Sequence, residues 1–496
     1  MSAIKGSFMK QFIIALDEGT TSVRAGVYDV KKGVFIHRAQ QEVGQSFPRS
    51  GWVEQDANEV YYKVMYVLND CIQAAGADNV SGIGIANQRE TVVLWNRDTG
   101  EPICPAIVWQ CRRTAKFCAS ISGEMRKKIK DKTGLLPDAY FSASKIKWNL
   151  DNVPEARKLL SEGKLCAGTI DSFIVFRLTG QFLTDYTNAS RTMLFDIQKL
   201  KWDQELCDYF LVPKEILPMP VPSDSMFGTA HFGGKEIPVA GILGDQQAAL
   251  FGQACYREGE GKITYGTGLF MLFHTGERCV FSDSGLLTTI GYSLKGKTAY
   301  ALEGSAFNAG SAVQWLRDGL GIIQTSAESE ELALSVPDSG GVSFVPAFTG
   351  LGAPHWNSEA RGLLAGISRG STRAHIVRAV LESIAFSARD LADCMTRDSG
   401  ICLREIKCDG GASSNSFLMQ FQADVLGIGV DRPVERESTL LGVALLSAVS
   451  LGILSTEELA DRRVSEKIFL PSSDRSQFDQ RYHEYLLAVK RALMNE

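Results

Sequence analysis

An α/β layered fold is expected for this chain of 496 residues on two observations. Short β-rich runs alternate with helical patterns through the first half, as layered α/β proteins require. A theme of apolar strand, Gly/Thr turn and apolar strand opens the chain at Phe12 and restarts at Lys262. The restart points to a structural duplication, although no long sequence repeat accompanies it. The length allows more than one domain and a large core. The boundary is expected near the charge- and glycine-rich Cys255–Gly261, giving domains 1–252 and 253–496.

The first element is the hairpin Phe12–Asp29. Asp17 ends its first strand, and Gly19-Thr20-Thr21-Ser22 makes the turn. Glycine allows close backbone approach, hydroxyls and N–H groups donate to phosphate oxygens, and a carboxylate holds a cation's water shell. On the turn alone, an ordinary β-hairpin with a polar turn fits equally well. Val80–Ala86 and Thr91–Trp95 read as two further strands. In the second half, Lys262–Phe273 repeats the hairpin. Ile376, Val380, Ile384, Ala388 and Leu391 share one helical face, with Ser371 as the expected cap. A strand at Ile406–Cys408 runs into Asp409-Gly410-Gly411, and a helix is expected over Ser413–Leu426. Strand, double glycine and helix N-terminus suit a nucleotide's phosphates or sugar, though many α/β turns look alike.

Bulk properties narrow the class. A formal net charge of −5 argues against a general nucleic-acid binder. No apolar run reaches membrane-spanning length, and Met1–Lys10 lacks a secretory apolar segment. Eleven scattered cysteines lack paired CxxC spacing, so they read as free thiols in a reducing cytoplasm. That reading includes Cys104, Cys111 and Cys118 at seven-residue intervals.

No Gly-Lys-Ser/Thr phosphate loop, zincin helix or nucleophile elbow is present. Phosphate binding is therefore assigned to the hairpin turns. Asn87-Gln88-Arg89-Glu90-Thr91 is dense in groups that hydrogen-bond a polyol, or is a solvated surface turn. Asp245, after the strand at Gly241–Gly244, is either a helix cap or a general base, with Gln246 beside it.

Several segments together resemble the FGGY carbohydrate kinase family over nearly the whole chain. They are Asp17–Ser22, Gly51–Glu54, Asn87–Thr91, Ile107–Thr114, Asp185–Met193, Gly244–Gln247, Tyr265–Gly268, Pro346–Pro354 and Gly362–Glu382. Trp109-Gln110-Cys111-Arg112-Arg113-Thr114 resembles the glycerol-phosphorylating members in particular. The resemblance implies two ribonuclease-H-like domains, of the actin, hexokinase and heat-shock ATPase type, flanking a central cleft. It implies ATP-dependent phosphorylation of glycerol, with ATP/ADP and Mg²⁺, in a homodimer or homotetramer. Arg89, Glu90, Tyr140, Asp245 and Gln246 would meet glycerol, with Asp245 as the base, and Trp109 and Phe270 would cover its carbon backbone. Thr20, Thr21, Ser22 and Arg24 would face the transferring phosphoryl group, and Asp17 the Mg²⁺. Thr267, Gly310, Gln314, Gly411 and Asn415 would hold the nucleotide. The rivals are a kinase for another polyol or a ketose, and a catalytically silent actin-like sensor.

Three departures from the family pattern stand out. Glu18 replaces the usual Gln and is expected to point away from the phosphate turn. Asn149 replaces an apolar residue, which concerns packing. His231–Ile237 is too short for the loop with which some relatives bind fructose 1,6-bisphosphate, so that inhibition is not expected, and His231 reads as a surface histidine. Asn188-Ala189-Ser190 forms a sequon without meaning in a cytoplasmic chain.

Overall fold

The opening hairpin forms as expected: Phe12–Glu18 (β1) pairs antiparallel with Ser22–Asp29 (β2). This is a computed structural model, and it describes residues 11–472 and 474–494. Val34–Glu42 (β3) adds antiparallel to β2, and Val80–Asn87 (β4) adds parallel to β1. Met226–Phe232 (β5) and Lys235–Gly244 (β6) complete a six-stranded sheet in the order β5-β6-β4-β1-β2-β3. Helix Ala57–Ala75 (α1) buries Val60, Val64, Val67, Leu68 and Ile72. Their three- and four-residue spacing makes one apolar stripe, and Asp56 caps the helix by accepting from the Asn58 and Glu59 N–H groups.

The strand after β4 does not pair with it. Val92–Asn96 joins a separate four-stranded sheet, next to Leu165–Thr169. Glu90, at φ 63°, marks the corner, a left-handed conformation uncommon for a residue with a Cβ.

The second half repeats the topology. Glu260–Tyr265 (β7) and Leu269–His274 (β8) form an antiparallel hairpin. With Leu287–Leu294 (β9), Lys297–Ala306 (β10), Glu405–Asp409 (β11), Val430–Pro433 (β12) and Ser465–Phe469 (β13), the order is β9-β10-β8-β7-β11-β12-β13. The sub-orders β3-β2-β1-β4-β6 and β10-β8-β7-β11-β12 share every parallel and antiparallel pairing. The duplication is thus one of topology, which needs a shared strand pattern and not a shared sequence.

Two structural units divide the chain. The first is Met1–Ala254 with Thr289–Ala299 and Ser438–Arg462; the second is Cys255–Thr288, Tyr300–Glu437 and Arg463–Glu496. The expected second domain, 253–496, therefore gives two segments to the first unit. In that unit, helix Ser438–Ser450 packs against helix Asp245–Gly252, and a Cβ added at Gly442 would stand 1.9 Å from the Ala248 carbonyl. Only glycine allows so close a backbone crossing.

The long helix of the second unit is Arg373–Ser399, and its N-cap is Thr372 rather than Ser371, with the Thr372 N–H donating to His375 Nδ1 at 3.1 Å. The following helix is Ser416–Leu426; Gly411–Ser414 is a tighter turn, because Asn415 is the capping residue. His231 is exposed on β5 opposite Glu236, and Gly233-Gly234 closes that hairpin with both φ positive. Asn188 is fully buried and Asn149 is 1% exposed. Among the described residues no disulfide joins the cysteines, and no helix is long and apolar enough to cross a membrane.

Candidate active site

Three parallel strands of the first unit end at one level: Glu18 of β1 and Gly244 of β6 both register with Asn87 of β4. The segments that follow, Gly19–Thr21, Gln88–Thr91 and Asp245-Gln246, therefore emerge at the same sheet edge, where open α/β sheets hold their ligands.

Arg89, 3% exposed, reaches Asp245 with Nε 3.2 Å from Oδ1, and its Nη1 donates to Gln247 Oε1 at 3.3 Å. Asp245 keeps a third of its side chain exposed and also accepts from the Gln246 N–H at 2.7 Å. The turned-back Glu90 accepts from Arg191 Nε at 2.6 Å, an ion pair sealed from solvent. Ser142 Oγ and Lys145 Nζ donate to the Glu90 carbonyl at 3.1 and 3.3 Å. Burial pulls the Lys145 ammonium down to about 8, against the charge of Glu90. The Arg191 guanidinium lies 5.7 Å over the Tyr140 ring, and Tyr140 meets Trp109 edge to face at 5.6 Å. Trp109 Nε1 donates to Thr20 Oγ1 at 2.9 Å, tying the aromatic pair to the phosphate turn. Arg89, Glu90, Tyr140, Trp109, Asp245, Gln246 and Thr20 thus come together within one unit. Arg191, Lys145 and Gln247 join them, three residues that no role drawn from the sequence covers.

The turn is held from below. Gly19 N–H donates to the Ser22 carbonyl at 2.9 Å, and Gln55 Nε2 to the Thr20 carbonyl at 2.7 Å. Thr21 is exposed, Ser22 buried, and Arg24 of β2 stands in register with Asp17. Glu18 is fully buried, accepting from Gln88 Nε2 at 2.8 Å, and Gln88 also donates to Gln55 Oε1 at 2.9 Å. Burial pushes the Glu18 carboxyl well above its ordinary value; the Gln88 bond opposes this, and the charges of Asp17 and Asp245 add to it.

A polar hub fixes the strand ends. Asp185 accepts from the Thr187 and Asn188 N–H groups, the Thr187 hydroxyl, Asn188 Nδ2 and Ser223 Oγ, at 2.8 to 2.9 Å. Thr187 Oγ1 in turn accepts from the Gly244 N–H at 2.9 Å, one residue before Asp245. Asn188 and Asn87 exchange side-chain hydrogen bonds at 2.9 Å in both directions.

The second unit carries the remaining expected residues. Thr267 is exposed at the tip of the β7–β8 turn; its carbonyl accepts from the Ala309 and Ser311 N–H groups, and the Gly266 carbonyl accepts from Gly310 N–H. Gln314 is exposed on the short helix Gly310–Gln314. Gly410, at φ 83°, lies so close to Tyr265 that a Cβ would stand 2.4 Å from its carbonyl. Gly411 is exposed, and a Cβ there would meet nothing within 4 Å. Asn415 is committed locally: Oδ1 accepts from the Leu418 N–H at 2.9 Å and Nδ2 donates to Ser329 Oγ at 3.2 Å. Phe270 sits half-buried on β8 opposite Thr264 and Ser305.

These residues fit the groups a phosphoryl-transfer site requires. Asp17 and Asp245 offer carboxylate oxygens, hard donors suited to Mg²⁺, and their charges also reach the buried Glu18. In the second unit, Gly411 and Thr267 are both exposed, and the space beside Gly411 is open to a ligand.

Residues 12–252 match the FGGY family of carbohydrate kinases, N-terminal domain, and residues 261–451 match the C-terminal domain of that family. The chain is 49% identical to glycerol kinase of Bacillus velezensis over 98% of this chain and 99% of that one. It is 49% identical to glycerol kinase 2 of Thermotoga maritima over 97% of this chain and 99% of the other. The crystal structure of Plasmodium falciparum glycerol kinase with ADP superposes with a TM-score of 0.91 at 36% identity, covering 99% of this chain and 100% of that one. A xylulose kinase of Lactobacillus acidophilus, 22% identical over 98% of this chain and 99% of its own, shares the fold with a TM-score of 0.88.

Proposed function

The chain belongs to the FGGY family of carbohydrate kinases, and on that premise we propose that it transfers the terminal phosphoryl group of ATP to glycerol, giving sn-glycerol 3-phosphate. The observation that carries the substrate is the Arg89–Asp245 pair beside Glu90, under the Trp109–Tyr140 edge-to-face pair. Charged groups there suit adjacent hydroxyls, and the aromatic faces suit CH groups. Whole-length identity of 49% to glycerol kinases supports the same reading.

In this reading Arg89, Glu90, Tyr140 and Gln246 hold glycerol. Asp245 takes the proton of the attacking hydroxyl; the new O–P bond forms as the bond to ADP breaks. Arg89, 3.2 Å away, keeps Asp245 oriented for that role. Trp109 and Phe270 cover the carbon backbone. Thr20, Thr21, Ser22 and Arg24 donate to the phosphoryl oxygens, and Asp17 holds Mg²⁺, which neutralises phosphate charge when bound. Thr267, Gly310, Gln314, Gly411 and Asn415 hold the nucleotide. The first unit is accordingly the glycerol side and the second the nucleotide side. A cytoplasmic homodimer or homotetramer completes the proposal.

Asp245→Asn tests the assignment. As general base, Asp245 contributes roughly 100- to 10,000-fold to kcat, with little change in glycerol affinity. Equal losses in kcat and affinity would make it a binding residue.

A further inference from the structure

Away from the sheet edge just described, His37 of β3 and Asp70 and Cys71 of α1 turn toward one point. Their ligand atoms, an imidazole nitrogen, a carboxylate oxygen and a sulfur, all lie within 4.8 Å of one another. His37 Nε2 and Asp70 Oδ1 are already hydrogen-bonded at 2.5 Å. We infer that this trio is a surface site for a borderline-soft divalent cation of the Zn²⁺ class, unrelated to the hard-cation chemistry at Asp17.

Exposure of the three donors is graded in the way such a site needs. Cys71 is 0% exposed, while the His37 and Asp70 side chains are 39% and 41% exposed. The buried sulfur would form the floor of the site, and the partly exposed nitrogen and oxygen its rim. Burial, and secondarily the charge of Asp70, push the Cys71 thiol up to about 12; a backbone hydrogen bond from Ala39, two residues along from His37, opposes this. Such a donor to sulfur steadies a metal-bound thiolate in the way outer-shell partners do. A His–Asp surface pair alone would be worth little; the buried sulfur facing the same point separates this group from one.

Tetrahedral Zn²⁺ with these donors sets them roughly 3.2–3.8 Å apart. The rim pair must open slightly and the sulfur approach, movements within reach of side-chain rotation. The S, N, O donor set favours Zn²⁺ or Co²⁺ over Mg²⁺, so the cation of the kinase reaction does not compete. Binding would fasten β3, the edge strand of the first unit's sheet, to α1.

Co²⁺ titration of the full chain, reduced and stripped of metal, tests this. Wild type should develop a thiolate-to-cobalt charge-transfer band together with the visible bands of tetrahedral Co²⁺, both displaced by Zn²⁺ and not by excess Mg²⁺. Cys71→Ser should abolish the charge-transfer band. His37→Gln, at a partly exposed rim position, should weaken binding by more than about 100-fold, beyond the roughly 10- to 100-fold loss typical of an outer-shell partner. A thiolate band that survives Cys71→Ser, binding indifferent to His37→Gln, or an octahedral Co²⁺ spectrum without sulfur ligation would each overturn the inference.

Discussion

Arg89 Nε stands 3.2 Å from Asp245 Oδ1, although the two residues follow different strands and lie far apart in the chain. The contact exists because β4 and β6 run parallel and stop in register at Asn87 and Gly244. It joins a nearly buried cation to the half-open carboxylate proposed as the base.

Arg89→Met removes that cation and leaves Asp245 and Glu90 with one guanidinium fewer. A hydrogen bond to a charged group is worth about 1.5–3 kcal/mol. Steady-state kinetics should show the glycerol KM rising by about 10- to 100-fold, while the KM for ATP moves little.

Thr187→Val keeps the volume and deletes the hydroxyl that accepts from Gly244 N–H. A buried donor left unsatisfied costs about 1–3 kcal/mol of stability, measurable by urea unfolding. Because Gly244 precedes Asp245, kcat should also fall by about 10-fold, a modest share of what a small misplacement costs. Thr187→Ser should recover both.

Gly442→Ala sets two effects against each other. Alanine gains about 1 kcal/mol of helix propensity over glycine. The added Cβ, however, meets the Ala248 carbonyl at 1.9 Å, backbone against backbone. Overpacking of that kind costs about 1–3 kcal/mol or more, and it displaces the helix that begins at Asp245. The variant should melt at lower temperature and lose activity.

Asp171→Asn tests a pH dependence. Burial pushes the Asp171 carboxyl up to about 7 from an ordinary value of 3.8, against hydrogen bonds from Thr169 and Thr184. The folded state therefore binds more protons than the unfolded state across that window, and wild type loses stability as pH rises through it. Asp171→Asn lacks this term. In urea unfolding its stability relative to wild type should climb from about pH 4 to about pH 7 and stay level above.

Much of this architecture is legible in local sequence. The two hairpins announce themselves because a Gly/Thr turn between apolar runs has few other uses, and the second hairpin repeats the first. The turn residues of the site lie next to recognisable strands, but position alone leaves Asp17, Arg89, Glu90 and Asp245 with ordinary turn or cap readings; the family resemblance is what singles them out. What stays hidden is tertiary. Arg191 and Lys145 reach Glu90 from other segments, and no spacing signals that. The Asp185–Thr187–Gly244 connection couples elements whose only link is the sheet. Helix Ser438–Ser450 returns to the first unit because Gly442 permits a close crossing, a fact of the partner surface rather than of its own pattern. Glu18 shows itself in the sequence only as a departure in residue type; its burial beneath the turn, on Gln88, is a product of the fold. The Ser371 cap fails for a smaller reason: Thr372, one residue on, has the same capping chemistry.

The central claim is tested most directly by ATP-dependent phosphorylation of glycerol set beside erythritol, xylulose and dihydroxyacetone, with ADP release and sn-glycerol 3-phosphate both measured. Glycerol should be turned over with the highest kcat/KM of the four, and its phosphate ester should form in step with ADP. No turnover of glycerol, or a clear preference for xylulose, would contradict the account.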